Sequence, residues 1–300
     1  VVSCWGDNSS GQLGDGTTMN KNAPTVVKGL AGVAKVALGW SHTCALTTAG
    51  DVWCWGKNDD GELGIGTSGK DAKETKPVQV KGLSKITAIS AGFDHTCAVT
   101  AATGTVHCWG KNTSGQLGNG KVSETLQTKP QQVQGLTGAT DIHGSARHTC
   151  AVTPAGYLWC WGSNVFGQLG TGSASQTGTP TPVQVKGLSK VKAVVAASGH
   201  TCALTTDGNV LCWGYNDRGQ LGTGSDQSFG NNTPTQVKNL SGVVALGSGG
   251  YPWGHTCAIK SDTTAVCWGD NHKGQLGSGV SGNAVAKNNL PTPIKDMFGA

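Results

Sequence analysis

Two recurring motifs predict an all-β chain built as a β-propeller of four-stranded antiparallel blades. Cys-Trp-Gly begins at Cys4, Cys54, Cys108, Cys160, Cys212 and Cys267, at gaps of 50, 54, 52, 52 and 55 residues. His-Thr-Cys-Ala begins at His42, His95, His148, His200 and His255. A fixed period marks a repeat architecture, and four short strands per period, repeated radially, make propeller blades. Six blades are visible with one incomplete, and a seven-bladed propeller with part missing is the alternative. Residues 1–300 therefore read as a single repeat domain, with membership of a larger chain left open.

The second repeat shows the elements in order. Val33–Leu38 is its first strand, His42–Thr47 its second and 51–55 its third, with a Thr48-Ala49-Gly50 turn signal between the last two. A Gly-rich connection, Asn58-Asp59-Asp60-Gly61-Glu62-Leu63-Gly64, leads to a fourth strand over 77–81. Proline opens that segment in each copy, at Pro24, Pro77, Pro130, Pro182, Pro234 and Pro293, which places it at the sheet edge. Lys28, Lys81, Lys186 and Lys238 lie in the same segment, where edge lysines guard against strand-to-strand pairing.

Composition narrows the function. The chain has 48 Gly, and they recur in register with apolar runs, which argues for turns and against disorder. Its formal charge is +5, from 20 Lys and two Arg, Arg147 and Arg218. Scattered lysines and scarce Arg argue against nucleic acid as a partner. No apolar run approaches the roughly 18 residues of a membrane span, and no signal peptide is visible, Val1 starting within a strand-like segment.

Ten of the 11 cysteines fall into local pairs: Cys44/Cys54, Cys97/Cys108, Cys150/Cys160, Cys202/Cys212 and Cys257/Cys267. If Cys202 faces Cys212 across a hairpin, Leu204 faces Val210, and the same sum pairs Leu46 with Val52, Val99 with Val106, Val152 with Leu158 and Ile259 with Ala265. Opposed residues have Cβ atoms about 4.5–5.5 Å apart, within reach of a disulfide. Zinc sites need closely spaced cysteine pairs, which do not occur here, and reduced core thiols would not explain the pairing. Disulfides imply an oxidising compartment: periplasm, cell surface or exterior. Cys4 is unpaired, either because the chain is a processed piece or because it bridges to another molecule.

Repeats of the form HTCALTTDGNVLCWGYNDRGQLGTG, His200 to Gly224, resemble those of the regulator of chromosome condensation propeller family, over essentially all 300 residues. The resemblance implies blades, usually seven. Five complete repeats follow two strands of another, so about two strands are missing from a sixth blade. The family's founder is an exchange factor for a small nuclear GTPase and binds chromatin. A disulfide-laced chain is at odds with a reducing nucleus, so that activity is not expected here. A secreted bacterial propeller that inhibits β-lactamases is similar in repeat pattern but lacks these cysteines. Fold does not fix function.

Catalysis, metals and cofactors are not expected. The five motif histidines read as side chains bonded to nearby backbone at a strand start. Gly64 to Lys70 imitates nucleotide-binding loops, but Asp71 follows the Lys and no helix is evident. No Gly-x-Ser-x-Gly elbow occurs and no carboxylate pairing stands out from the repeat. Binding residues are expected where repeats differ: Trp40, Phe93, Arg147, Tyr251 and Trp253 between first and second strands, types enriched in hot spots. The connections 67–76, 173–181, 225–233 and 280–290 form a second variable set. Sequons stand at Asn8, Asn112, Asn231 and Asn239. The reading is an extracellular interaction or structural module whose unfinished blade allows self-association by strand donation. A secreted enzyme inhibitor and a carbohydrate-binding, lectin-like propeller are the rivals.

Overall fold

The structure, a computed structural model, describes residues 1–225, 227, 230–250, 253–281 and 287–295, which form strands, turns and connections with no helix among them. Cα proximity divides the chain into two compact units, Val1–Thr149 with Gly178–Pro182 and Cys150–Thr177 with Val183–Ala300. In the first, β1 (Ser3–Gly6) and β2 (Lys21–Val26) form a two-stranded sheet. A four-stranded sheet follows, of β3 (Val33–Leu38), β4 (His42–Thr47), β5 (Val52–Lys57) and β6 (Lys73–Gln79). The next is β7 (Ile86–Ala91), β8 (His95–Thr100), β9 (Val106–Asn112) and β10 (Ser123–Gln132). The division falls in the sheet of β11 (Asp141–Gly144), β12 (His148–Val152), β13 (Leu158–Asn164) and β14 (Ser175–Gln184). The second unit holds a sheet of β15 (Val191–Ala196), β16 (His200–Thr205), β17 (Val210–Gly214) and β18 (Thr235–Gln236). Its last sheet is β19 (Val243–Gly249), β20 (His255–Lys260), β21 (Ala265–Asp270) and β22 (Lys287–Pro293).

The hairpin register follows the cysteine arithmetic. Cys44 faces Cys54 and Leu46 faces Val52; Cys202 faces Cys212 and Leu204 faces Val210. The longer turn of the third repeat still brings Cys97 opposite Cys108 and Val99 opposite Val106, and Ile259 lies opposite Ala265. All five expected disulfides are formed, with Cα–Cα distances of 4.1 Å, and Cys4 carries a free thiol. Four of the bridges lie wholly in the core, and in the fifth Cys267 is buried and Cys257 half-buried. Cys44, Leu46, Val52 and Cys54 pack with Ile89 and with Trp109 of the following blade, and Cys202, Leu204, Val210 and Cys212 pack in the same way with Trp268.

The edge strand departs from the expected form. β6 starts at Lys73, so Pro77 lies inside it. Gly56 faces Glu74 and Cys54 faces Val78, which leaves Thr75, Lys76 and Pro77 bulged opposite Trp55. The same bulge ends at Pro24, Pro130 and Pro291. A bulge is where a residue without an N–H disturbs no ladder bond, so proline is tolerated within the strand. Pro291, and not Pro293, is thus the equivalent proline; Pro293 lies further along, opposite Val266. Lys28, Lys81, Lys186 and Lys238 are exposed beyond the strand ends instead of on the edge. Much of 67–76 and 173–181 is strand, not loop, while 226, 228, 229 and 282–286 lie outside the described residues.

Successive blades are locked by one recurring set of polar contacts. Asn58 spans its loop, accepting from the Leu63 N–H at 3.2 Å and donating to the Thr67 carbonyl at 2.9 Å. Asn8, Asn112, Asn164, Asn216 and Asn271 do the same in their own repeats. So held, the loop offers one carbonyl to the next blade. Trp55 Nε1 and Thr43 Oγ1 donate to Gln12 O, Trp109 and Thr96 to Glu62 O, and Trp213 and Thr201 to Gln168 O. Gln12, Gln116, Gln168 and Gln220 of Gly-Gln-Leu-Gly are therefore latches through their backbone as well as turn formers.

The motif histidines correct an expectation. Three of them reach a threonine of the next blade instead of nearby backbone: His42 Nε2 meets Thr96 Oγ1 at 2.9 Å, His95 meets Thr149 at 2.9 Å and His200 meets Thr256 at 2.8 Å, while His148 Nδ1 meets Ser145 Oγ of its own loop at 2.6 Å. Since the single hydroxyl proton of Thr96 goes to Glu62 O, His42 Nε2 is the donor, and the same holds for His95 with Thr149, whose proton goes to Gln116 O. Burial pushes the pKa of His42 down to about 3, of His95 to about 4 and of His200 to about 3, so each ring is neutral at pH 7.

Candidate interaction surface

Two loops of each blade meet at one edge. The residue after Cys-Trp-Gly donates its N–H to the carbonyl of the residue before His-Thr-Cys: Lys57 to Ser41, Lys111 to Asp94, Tyr215 to Gly199 and Asp270 to Gly254. No two of these four pairs have the same two residues, although the motifs beside them recur. Trp40, Phe93, Arg147 and Trp253 all belong to the loops before their motif histidines, as expected, and Tyr251 lies outside the described residues.

In the first unit, Trp40 and Phe93 stack with ring centroids 4.5 Å apart and planes 20° from parallel. Trp40 is 55% exposed, and Arg147 is exposed in its own loop. Beside the stack lies a charged cluster that the sequence reading missed. Lys57 Nζ stands 3.1 Å from Asp60, 3.3 Å from Glu62 and 3.2 Å from Asp94, and Lys111 reaches Asp60 at 3.4 Å. Burial disfavours the Lys57 ammonium, but Glu62, Asp94 and Asp60 outweigh it and raise its pKa. Burial pushes the Glu62 carboxyl up. One atom each of Asp60, Glu62 and Asp94 lie within 4.8 Å of one another, a grouping that could hold a metal ion, but the Lys57 ammonium stands among them as counter-ion. Carboxylates do therefore gather outside the repeat pattern. The available signal was Glu62, which stands where the other repeats carry Gln.

In the second unit, Phe166 and Tyr215 lie 4.5 Å apart at 40°, over Gly199. A Cβ on Gly199 would come 3.0 Å from Phe166 and 3.1 Å from Tyr215, so glycine makes room for the ring pair. Burial, with a hydrogen bond to Asp217, pushes the Tyr215 pKa up to about 12. Arg218 sets its guanidinium carbon 4.5 Å from the centre of the Trp253 ring, which also stacks on His272 at 5.2 Å. Gln220 Nε2 donates to the Trp253 carbonyl at 2.7 Å and holds that loop. Hence Trp253 was legible in the sequence, whereas its supports Arg218 and His272 come from other loops. Two sequons are also reassigned: Asn8 and Asn112 are buried loop clamps, while Asn231 and Asn239 are exposed.

These edges offer stacked aromatic faces and paired charges on hydrogen-bonded loops, a chemistry of recognition. A family model for the RCC1-like domain matches residues 2–299. Human E3 ubiquitin-protein ligase HERC2 is 34% identical over 302 residues, covering 97% of this chain and 6% of that protein. The ultraviolet-B receptor UVR8 of Arabidopsis thaliana is 34% identical over 244 residues, 80% of this chain and 54% of that protein. The chain thus spans about half of UVR8 and a small part of HERC2. Among solved structures, human WBSCR16 superposes with a TM-score of 0.79 at 21% identity, covering 98% of this chain and 78% of that one. Prp20p of Saccharomyces cerevisiae does so at 0.69 and 22%, covering 98% and 86%. The five four-stranded sheets are the antiparallel blades of that β-propeller fold, with β1 and β2 as two strands of another.

Proposed function

Because the chain belongs to the RCC1-like domain family, we propose that it is one propeller domain whose work is protein recognition, carried out in an oxidising compartment and without catalysis. The ligase and photoreceptor activities named for HERC2 and UVR8 belong to those proteins, of which this chain matches only a part. The observation that carries the proposal is positional. The polar latch between blades recurs from repeat to repeat, whereas the side chains of the two loops beside it change and include stacked Trp40 and Phe93 and the Arg218–Trp253 contact. Trp, Tyr and Arg in supported positions are the residues that most often dominate protein interfaces. Five disulfides support the exterior, the cell surface or the periplasm, because such bridges rarely persist in a reducing cytosol.

The test is affinity capture from the extracellular protein fraction of the native source, with Trp40→Ala/Phe93→Ala and Arg218→Ala/Trp253→Ala proteins as comparisons. The expected outcome is a partner lost by at least one variant at unchanged melting temperature. Equal capture by all three proteins would move recognition elsewhere. The compartment is checked by intact mass of the native protein without reductant, where free thiols at the paired positions would overturn it.

A further inference from the structure

Two consecutive repeats carry a cation at a loop position where the others do not. The residue before Gly-Gln-Leu-Gly, or before Gly-Glu-Leu-Gly in the second repeat, is Ser10, Asp60, Ser114 and Phe166 in turn, then Arg218 and Lys273. Its backbone is pinned in one way. Arg218 N–H donates to Gln220 Oε1 at 2.9 Å and Lys273 N–H to Gln275 Oε1 at 2.8 Å, as Phe166 N–H does to Gln168 Oε1. Buried Gln220 also donates from Nε2 to the Trp253 carbonyl, so a single side chain fixes the Arg218 loop and the Trp253 loop together.

The Arg218 side chain lies over the Trp253 ring and is 25% exposed, so solvent reaches part of it. Its one ion-pair partner among the described residues is Asp217, whose Oδ2 stands 4.0 Å from Nε, too far for a hydrogen bond. Nε is buried without an acceptor, and no acceptor among the described residues bonds the two terminal amines. Nearby carboxylates are engaged elsewhere: Asp217 takes the Tyr215 hydroxyl, and Asp270 is held by His272 and Gln275. In the first unit, by contrast, Lys57 and Lys111 are already neutralised by Asp60, Glu62 and Asp94.

We propose that Arg218, stacked on Trp253, anchors a carboxylate side chain of a partner protein, so that the segment recognised at this edge is acidic. A guanidinium flat on an indole is oriented before the partner arrives, and its planar fork matches a carboxylate through parallel N–H···O bonds. Lys273 follows His272, whose ring stacks on Trp253, and adds a second, exposed cation to the same loops. Asp217, close to Nε, weighs against a doubly charged phosphate more than against a singly charged carboxylate. The inference rests on the loop-edge recognition proposed above and names the chemistry of its partner.

The test uses the 300-residue protein and, as probe, short random peptides displayed on phage. Fluorescence anisotropy then compares each selected peptide with a copy in which Asp and Glu become Asn and Gln. The selected peptides should share an acidic residue whose replacement weakens binding at least about tenfold, the worth of a hydrogen bond to a charged group. R218K keeps the charge but loses the planar fork. It should weaken the acidic peptide about tenfold and leave the amide copy unchanged, a coupling that a general loss of structure does not produce. W253L should weaken binding about threefold. No selected peptide, peptides without a shared acid, or equal affinity for R218K and the parent would overturn the inference. Displacement by inorganic phosphate at concentrations where acetate has no effect would overturn it in favour of a phosphate ligand. A native partner captured through Trp40 and Phe93 but bound equally by R218K would keep the recognition reading and remove this one.

Discussion

Trp5 and Trp55 occupy the same motif, in strands of the same register against their edge strands, yet Trp5 is 61% exposed and Trp55 is fully buried. The difference lies outside both blades. Trp55 donates to Gln12 O of the preceding repeat and lies under its loop, and Gly14 comes so near that a Cβ there would stand 2.7 Å from Trp55 Nε1. The Trp5 ring has no loop over it among the described residues. A motif residue thus becomes core only when a neighbouring repeat supplies the cover, as expected of units that cannot bury their apolar faces alone.

The largest test of that contrast is truncation. Trp109→Ala or Trp213→Ala should lose about 3–5 kcal/mol in urea denaturation, because a buried ring and its bond to Glu62 O or Gln168 O both vanish. Trp5→Ala should change stability by no more than about 0.5 kcal/mol. Similar losses at all three positions would break the comparison. The cysteines sharpen it next. Replacing Cys202 and Cys212 together by Ala opens a loop closed across a sequence separation of 10 and should remove roughly 2–3 kcal/mol, while Cys4→Ser leaves the melting temperature unchanged.

The loop clamp gives a smaller effect. Asn112→Ala leaves the Leu117 N–H and the Lys121 carbonyl without their side-chain partner and should lose about 2 kcal/mol, against nearly nothing for exposed Asn231→Ala. Acid acts through the histidines. Their folded pKa values lie below the unfolded value of about 6.5, so the unfolded chain binds protons first as pH falls. Stability is therefore full above about pH 6.5 and declines toward pH 4, by up to about 1.4 kcal/mol per pH unit for each of His42, His95 and His200. Denaturation midpoints of H200N measured between pH 7.5 and pH 5 should show a shallower slope than those of the parent. An equal slope would mean that His200 takes up its proton in the folded state. Glu62→Gln, which restores the residue of the other repeats, should shift stability by less than about 1 kcal/mol at pH 7, because the Asp60 N–H keeps an acceptor.

Hairpin register was legible because side chains alternate with period two, so one cysteine pair aligns every residue beside it. The edge strand was misplaced because the bulge at Thr75-Lys76-Pro77 breaks that period, and no residue pattern on one strand reports a bulge against its neighbour. Trp40, Phe93 and Trp253 were legible as departures from the repeat. Lys57, Asp60, Glu62 and Asp94 were not, since Asp94 lies 32 or more residues from the others and joins them only when two blades pack.

By itself, then, the sequence determined blade type, hairpin pairing and the five disulfides, all set by local alternation and short turns. Tertiary structure alone decided which Trp is core, where the His42 and His95 protons go and which charges share a loop edge. Those depend on what the adjoining repeat places against each residue, and contacts between repeats about fifty residues apart leave no mark in local periodicity.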